Sequence, residues 1–331
     1  MKNIFVVIAF LFSTTALADS CLKRRGALDI GSGSTKAFAA VVDVCKKKIV
    51  QRLFDKKIPI PFGDSREKSA TGEIPATVAN DAAKKIAALV KSMNEKKLES
   101  VSAVATVAFR AASNGATVAA DIGKQAKISV KILTQEEEAD VGAQSALSEI
   151  EVDPQDRRQL VVWDIGGGSM QMWAKEQNKT EIYTGDLASV TFKNRIIKEV
   201  QNKDPKTTDS PNPIGSQSSK VVAMATEHAS AQVPSFFKEK AAKARWIGIG
   251  GVLSLSLQNQ VKEGANEFSQ SGLEQTLKKR ANLKDSQIEG EYESTEISNL
   301  ALVLGYMKAL KIEKIETVEA SLVQGWLLSQ P

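Results

Sequence analysis

Histidine is nearly missing from this chain: His228 is the single one in 331 residues, and there are only two cysteines, Cys21 and Cys45. One imidazole excludes a multi-histidine metal centre, and no Ser, Asp or Cys near His228 reads as a partner in a catalytic triad. Two thiols cannot furnish the four ligands of a structural zinc site. Aromatic residues make up 5% of the chain, without the alternation of aromatic and basic side chains that marks nucleic-acid binding. Beyond the first dozen positions no stretch approaches the roughly 18 apolar residues of a membrane span. Chemistry is therefore left to carboxylates, backbone amides, Arg and Lys, or a hard, oxygen-liganded metal.

What is present is ordinary for a folded protein: 42% hydrophobic and 25% charged residues. The length points to two domains. The formal net charge of +5 suits an anionic partner but is small. Met1, Lys2 and Asn3 precede an apolar run over 4–12, and Ala16-Leu17-Ala18 offers small residues for cleavage. This pattern is that of a secretory signal peptide over 1–18. The expected mature chain starts near Asp19 and is soluble, periplasmic or secreted.

Residues 26–30 and 37–44 read as two strands around Gly31-Ser32-Gly33-Ser34, a hairpin. With the turn centred on Gly33, Cys21 and Cys45 stand opposite each other, at the spacing a disulfide needs and in an oxidising compartment. A Cys21–Cys45 bond is expected to close the open end of the hairpin.

Further along, the pattern predicts strands at 48–53, 101–107 and 128–133, and helices at 74–97, 111–124 and 135–150. A new strand over 160–165 then runs into Gly166-Gly167-Gly168-Ser169, followed by strands at 170–175 and 180–184 and a helix at 188–201. Residues 202–220, rich in Pro, Ser, Thr, Asp and Lys, read as a solvated loop. The remainder reads as a strand at 245–249, the turn Gly250-Gly251, helices at 253–260, 273–280 and 297–310, a strand at 315–320 and a short helix near 325–328. The segment D-I-G-x-G-S occurs at Asp29 and again at Asp164. An internal duplication follows, with two similar α/β domains, 19–158 and 159–331, facing each other.

Each repeat ends a strand with Asp and follows it with small residues. Glycines let backbone amides approach a phosphate closely. Asp29 and Asp164 are then candidates to hold a hard cation or its waters, and Gly250-Gly251 supplies a third amide-rich turn. Arg110 is placed at a helix start, as a phosphate clamp with Asn114 one turn on, or as a solvated surface residue. Thr134 and Glu137 have capping-box spacing, which leaves Glu138 without a local role and makes it the candidate general base.

These residues resemble the exopolyphosphatase / guanosine pentaphosphate phosphohydrolase (Ppx/GppA) family. ALDIGSGSTK (27–36), ATVAFRAASN (105–114), ILTQEEEA (132–139), VVWDIGGGSMQ (161–171), GIGGVL (248–253) and TVEASLVQGWLL (317–328) are similar to its motifs, in order. The resemblance implies an α/β fold of two ribonuclease H-like domains of the actin-like ATPase type, facing across a cleft. It also implies hydrolysis of a terminal phosphoanhydride with Mg²⁺ and a Glu-activated water. Glu138 and Gln171 would be the catalytic positions, Asp29 and Asp164 the metal-associated ones. Gly31, Ser32, Gly33, Ser34, Arg110, Gly166, Gly167, Gly168, Ser169, Gly250 and Gly251 would contact phosphate.

Three residues depart from the family pattern. Gly33 replaces Asn, Lys36 stands where Arg or His is common, and Gln171 replaces an acid. Export disfavours a kinase or an alarmone phosphatase and favours polyphosphate or another extracellular phosphoanhydride. The leading expectation is an exported Mg²⁺-dependent phosphohydrolase. Its rival is a non-catalytic polyphosphate or nucleotide binding protein whose site is degenerate at Gln171, and a structural scaffold is the third option. No nucleic-acid partner or membrane span is expected, and a homodimer is left open.

Overall fold

The computed structural model describes residues 21–150, 156–177, 179–261, 263–264, 266–290 and 292–330. The expected signal segment, 1–18, lies outside the described residues. Two sheets divide the strands. The first has the order β3-β2-β1-β4-β5, from β1 (Leu22–Ile30), β2 (Ser34–Asp43), β3 (Lys48–Pro59), β4 (Ser100–Ala105) and β5 (Ser129–Ile132). The second contains β6 (Leu160–Ile165), β7 (Met170–Glu176), β8 (Lys179–Gly185), β9 (Arg245–Ile249), β10 (Glu267–Ser269) and β11 (Lys314–Thr317). Its order is β10-β11-β9-β6-β7-β8. Read from β8, the strands β8-β7-β6-β9-β11 repeat the first sheet's arrangement, with β10 added at the edge. In each half a hairpin lies antiparallel beside a strand that runs parallel to its first member. The duplication read from D-I-G-x-G-S is therefore also a duplication of topology.

Each sheet is covered by apolar helices. Ala76–Asn94 buries Ala82, Ile86, Leu89, Val90 and Met93 against the first sheet's core, at the three- and four-residue spacing of one helical face. In the second half Glu293–Leu310 is buried along most of its length and lies against Ser218–Gln232. Gly305 allows this approach: a Cβ there would meet the Ala225 Cβ at 2.5 Å. The solvated loop expected over 202–220 ends earlier, because Val221, Ala225 and Ala229 recur every four residues and pull Ser218–Gln232 into a helix. Pro211 and Ile214 within the segment are also buried.

Two helices exchange sides. Gln135–Glu149 follows the last strand of the first sheet, yet Ala139, Ala143 and Ala146 pack with Leu160, Val162, Trp173 and Ile247 of the second. Leu322–Ser329 follows the second sheet, yet Val323, Leu327 and Leu328 pack with Ala27, Phe38, Ala40 and Val42 of the first. The two cross closely at Gly325, where a Cβ would lie 2.0 Å from the Val141 carbonyl oxygen.

Cys21 and Cys45 are bonded, with Cα atoms 5.6 Å apart, but they are not directly opposed. The pairs Leu22↔Asp43 and Ile30↔Thr35 centre the turn between Ser32 and Gly33 rather than on Gly33, so Cys45 falls one residue beyond the partner position. Asp43 Oδ1 accepts from the Cys45 and Lys46 amides at 3.1 and 2.9 Å, and this local turn brings Cys45 back to Cys21.

Because backbone rather than a flexible side chain faces Gly325, Gly325→Ala is expected to destabilise the protein by about 3 kcal/mol. A denaturant midpoint equal to that of the unmutated chain would contradict this helix crossing.

Candidate active site

The aspartates of the two repeats are the next-to-last residues of β1 and β6, and the turns after them close in the same way. Gly31 N donates to Ser34 O at 3.0 Å, and Gly166 N donates to Ser169 O at 2.9 Å. A short helix buttresses each turn from outside. Gly63 N, in Phe62–Lys68, donates to Ser32 O, while Ser189 N and Val190 N, at the start of Ser189–Arg195, donate to Gly166 O and Gly167 O. Those carbonyls are thereby turned outward. The second turn also meets the first half, since a Cβ on Gly168 would come within 3.2 Å of Val107 Cγ1.

The third turn packs on the second aspartate. Gly250 has φ +81°, and a Cβ there would fall 2.1 Å from Asp164 Oδ1. Both the backbone conformation and the contact require glycine. Gly142, on the crossing helix, comes against the other oxygen: its Cβ would be 3.7 Å from Asp164 Oδ2.

Glu138 enters from the first turn of Gln135–Glu149. The adjoining Glu137 is spent locally. Thr134 Oγ1 accepts from Glu137 N at 3.2 Å, Glu137 Oε2 accepts from Thr134 N at 3.0 Å, and Glu137 also pairs with Lys131 at 2.6 Å. Glu138 instead points inward and is 8% exposed. Arg110 Nη1 donates to Glu138 Oε2 at 2.8 Å and to Leu133 O at 2.7 Å. Burial pushes Glu138 up to about 7, opposed by Arg110 and reinforced by Asp164 and Asp29. Asp164 is pushed up to about 6, again by burial, with Lys36 opposing and Asp29 adding. Asp29 is raised by burial and lowered by Lys36.

Three expectations need correction. Arg110 does not begin a helix: it is the last residue of the four-residue helix Val107–Arg110, where the dipole favours a cation. It is also not a solvated surface group, since it is tied to Glu138. Its Nη2 is buried without a hydrogen-bond partner, so one donor is left for an anion. Asn114 is no phosphate clamp, because its side chain bonds both backbone groups of Ile74 at 2.9 and 3.0 Å.

Lys36 and Gln171 occupy the same place in the two repeats: Lys36 pairs with Asp29 across the first hairpin, Gln171 with Asp164 across the second. Gln171 is 2% exposed, and its Nε2 donates to Ser169 Oγ at 3.2 Å. Lys36 acts on both aspartates. In the sequence Lys36 stands out only as a departure from the family pattern. Its place opposite Asp29 in the ladder is the signal that would have found it.

The chain matches the Ppx/GppA phosphatase family over residues 40–330. It belongs to that family. Solved structures of the same fold include the Aquifex aeolicus Ppx/GppA family member, at 16% identity and TM-score 0.69, covering 93% of this chain and 97% of the other. An exopolyphosphatase from Cytophaga hutchinsonii is 15% identical with TM-score 0.70, covering 92% and 96%. An exopolyphosphatase-like protein reaches TM-score 0.73 at 18% identity, covering 93% and 97%. No curated protein sequence matches the chain. The two-sheet α/β architecture of this Ppx/GppA chain is the one that the family resemblance implied, and it is shared with those solved structures.

A carboxyl whose pKa is raised by folding keeps its proton in the folded chain at pH values where the unfolded chain has lost it. Stability from such a group is full below about 4.5, the unfolded value for Glu138, and falls as pH rises through about 7. In chelator-treated protein, Glu138→Gln should match the unmutated chain at low pH and be more stable at pH 8 by about 3 kcal/mol. Equal melting temperatures at both pH values would show that Glu138 is not strained by its surroundings.

Proposed function

We propose that this protein is an exported, Mg²⁺-dependent phosphohydrolase that releases terminal phosphate from polyphosphate-like phosphoanhydrides, with Glu138 as the base. The observation that carries this reading is the convergence of Glu138, Asp29 and Asp164 from three elements, with Arg110 held against Glu138. Family membership supports phosphohydrolase chemistry, and the N-terminal pattern with a Cys21–Cys45 bond supports export.

The residues present fit a hard divalent cation. Every candidate donor is a carboxylate oxygen, and the buried Glu138 and half-buried Asp29 and Asp164 have Lys36 and Arg110 as opposing charges. Among the described residues, the one group of three or more His, Cys, Asp or Glu side chains with ligand atoms mutually within 4.8 Å is Cys21, Asp43 and Cys45, whose sulfurs are consumed by the disulfide. Asp29 and Asp164 would therefore hold a cation partly through waters or phosphate oxygens, as suits Mg²⁺. When bound, the ion supplies charge neutralisation at the phosphate oxygens.

In the reaction, the oxygen of a water attacks the terminal phosphorus. Its proton passes to a Glu138 carboxylate oxygen, and the bond from phosphorus to the bridging oxygen breaks, leaving that oxygen on the shortened chain. A base near 7 is matched to neutral pH. Arg110 keeps Glu138 in place and offers Nη2 to the phosphate, while the turns after Asp29 and Asp164 bring backbone amides to it.

Gln171 favours a second reading. A neutral amide engaged with Ser169 adds no charge for a cation, which suits a binding protein that has lost turnover. With Mg²⁺ and long-chain polyphosphate, the mature protein is expected to release phosphate, and Glu138→Gln to lose at least about a hundredfold in rate while still binding. Binding without release by the unmutated chain supports the second reading. Neither binding nor release for polyphosphate, guanosine polyphosphates or ATP defeats both.

A further inference from the structure

The net charge of this chain is concentrated in one place. Between positions 46 and 57 stand Lys46, Lys47, Lys48, Arg52, Lys56 and Lys57 against Asp55, a net of +5 that equals the formal charge of the whole chain. The rest of the sequence is balanced. All six cations are exposed, and they lie on β3 and the turn before it, at the edge of the first sheet. Among the described residues, no ion pair engages Lys47, Lys48 or Lys56; Lys46 reaches Asp43 at 3.9 Å. The Lys57 ammonium sits 4.7 Å from the Tyr292 ring centroid and donates to its hydroxyl, which carries the strip to the second half.

This strand leads to the site. Pro59 pairs with Ser34 of the first phosphate turn, and Lys57 pairs with Lys36, itself opposite Asp29. Ile60 N then donates to Gly33 O at 3.1 Å. The strand's 12 residues rise about 3.3 Å each, so the cationic strip is about 40 Å long. Its far end borders a hollow of about 680 Å³ lined by Lys46, Lys47, Lys48, Gln144, Trp173 and Lys175.

We propose that the β3 strip is a second binding surface, holding the trailing segment of a linear phosphate polymer whose end occupies the cleft. The proposal rests on the polyphosphate reading above. An extended polyanion matches a line of separated point charges, and lysine binds phosphate as such a charge. Lysine on an edge strand also discourages sheet-to-sheet pairing, but that role needs neither the two lysines of the turn nor continuity with Lys36.

The test is Lys47→Gln/Lys48→Gln/Lys56→Gln in the full mature chain, which leaves the cleft residues untouched. Binding of long-chain polyphosphate and of tripolyphosphate is measured by calorimetry over a series of salt concentrations. For the variant, long-chain binding should weaken about tenfold or more, and the slope of log K against log salt should shrink by about two to three. Tripolyphosphate should bind as before. Unchanged long-chain binding overturns the proposal, as does a variant that merely self-associates in sedimentation. Equal displacement of polyphosphate by a single-stranded oligonucleotide or by anionic vesicles also overturns it, because the strip would then be a general polyanion surface. Phosphate release is read separately: absence of release with strip-dependent long-chain binding defeats the enzyme reading alone, and release with strip-independent binding defeats the strip alone.

Discussion

Burial of Glu138 beside the half-buried Asp29 and Asp164 is the constraint on which the rest of the structure turns. Carboxylates near one another, removed from water, are costly unless opposed by positive charge. The fold brings these three together from the ends of two sheets and the start of a crossing helix. It answers with Arg110 against Glu138 and Lys36 near both aspartates. The close backbone contacts at Gly250 and Gly142 leave Asp164 little room to move aside. A site built this way favours ligands that bring cations and phosphate together, and this links the packing to the proposed chemistry.

Exchange of the two helices makes the convergence possible. Gln135–Glu149 is anchored by its alanines on the second sheet, while its first residues follow the first sheet's last strand, so Glu138 stands between the halves. Leu322–Ser329 returns the exchange and meets the first helix at Gly325. The short helices Phe62–Lys68 and Ser189–Arg195 do similar work for the turns, taking up outward carbonyls through their first amides.

Much of this was legible in the sequence, because D-I-G-x-G-S written twice marks both strand ends and both turns, and Thr134 with Glu137 marks the crossing helix. The capping box takes Glu137 and leaves Glu138 free to turn inward. The helix exchange was hidden, since apolar periodicity says that a face is buried and not which sheet buries it. The Arg110 environment was misread because Gly115–Ala126 begins a second helix after a break, so the residue ends one helix instead of starting another. Gln171 and Lys36 became comparable only when both hairpin registers placed them opposite equivalent aspartates. Net charge says little as a total and gains meaning because six of the cations fall on one edge strand and the turn before it.

A single site composed from both repeats is the central claim, and calorimetric titration of a non-hydrolysable diphosphate with Mg²⁺ tests it most directly. The titration uses the mature chain and the single variants Asp29→Asn and Asp164→Asn. The account predicts that each substitution alone abolishes the Mg²⁺-dependent part of the binding. Full Mg²⁺-dependent affinity in either variant would contradict it.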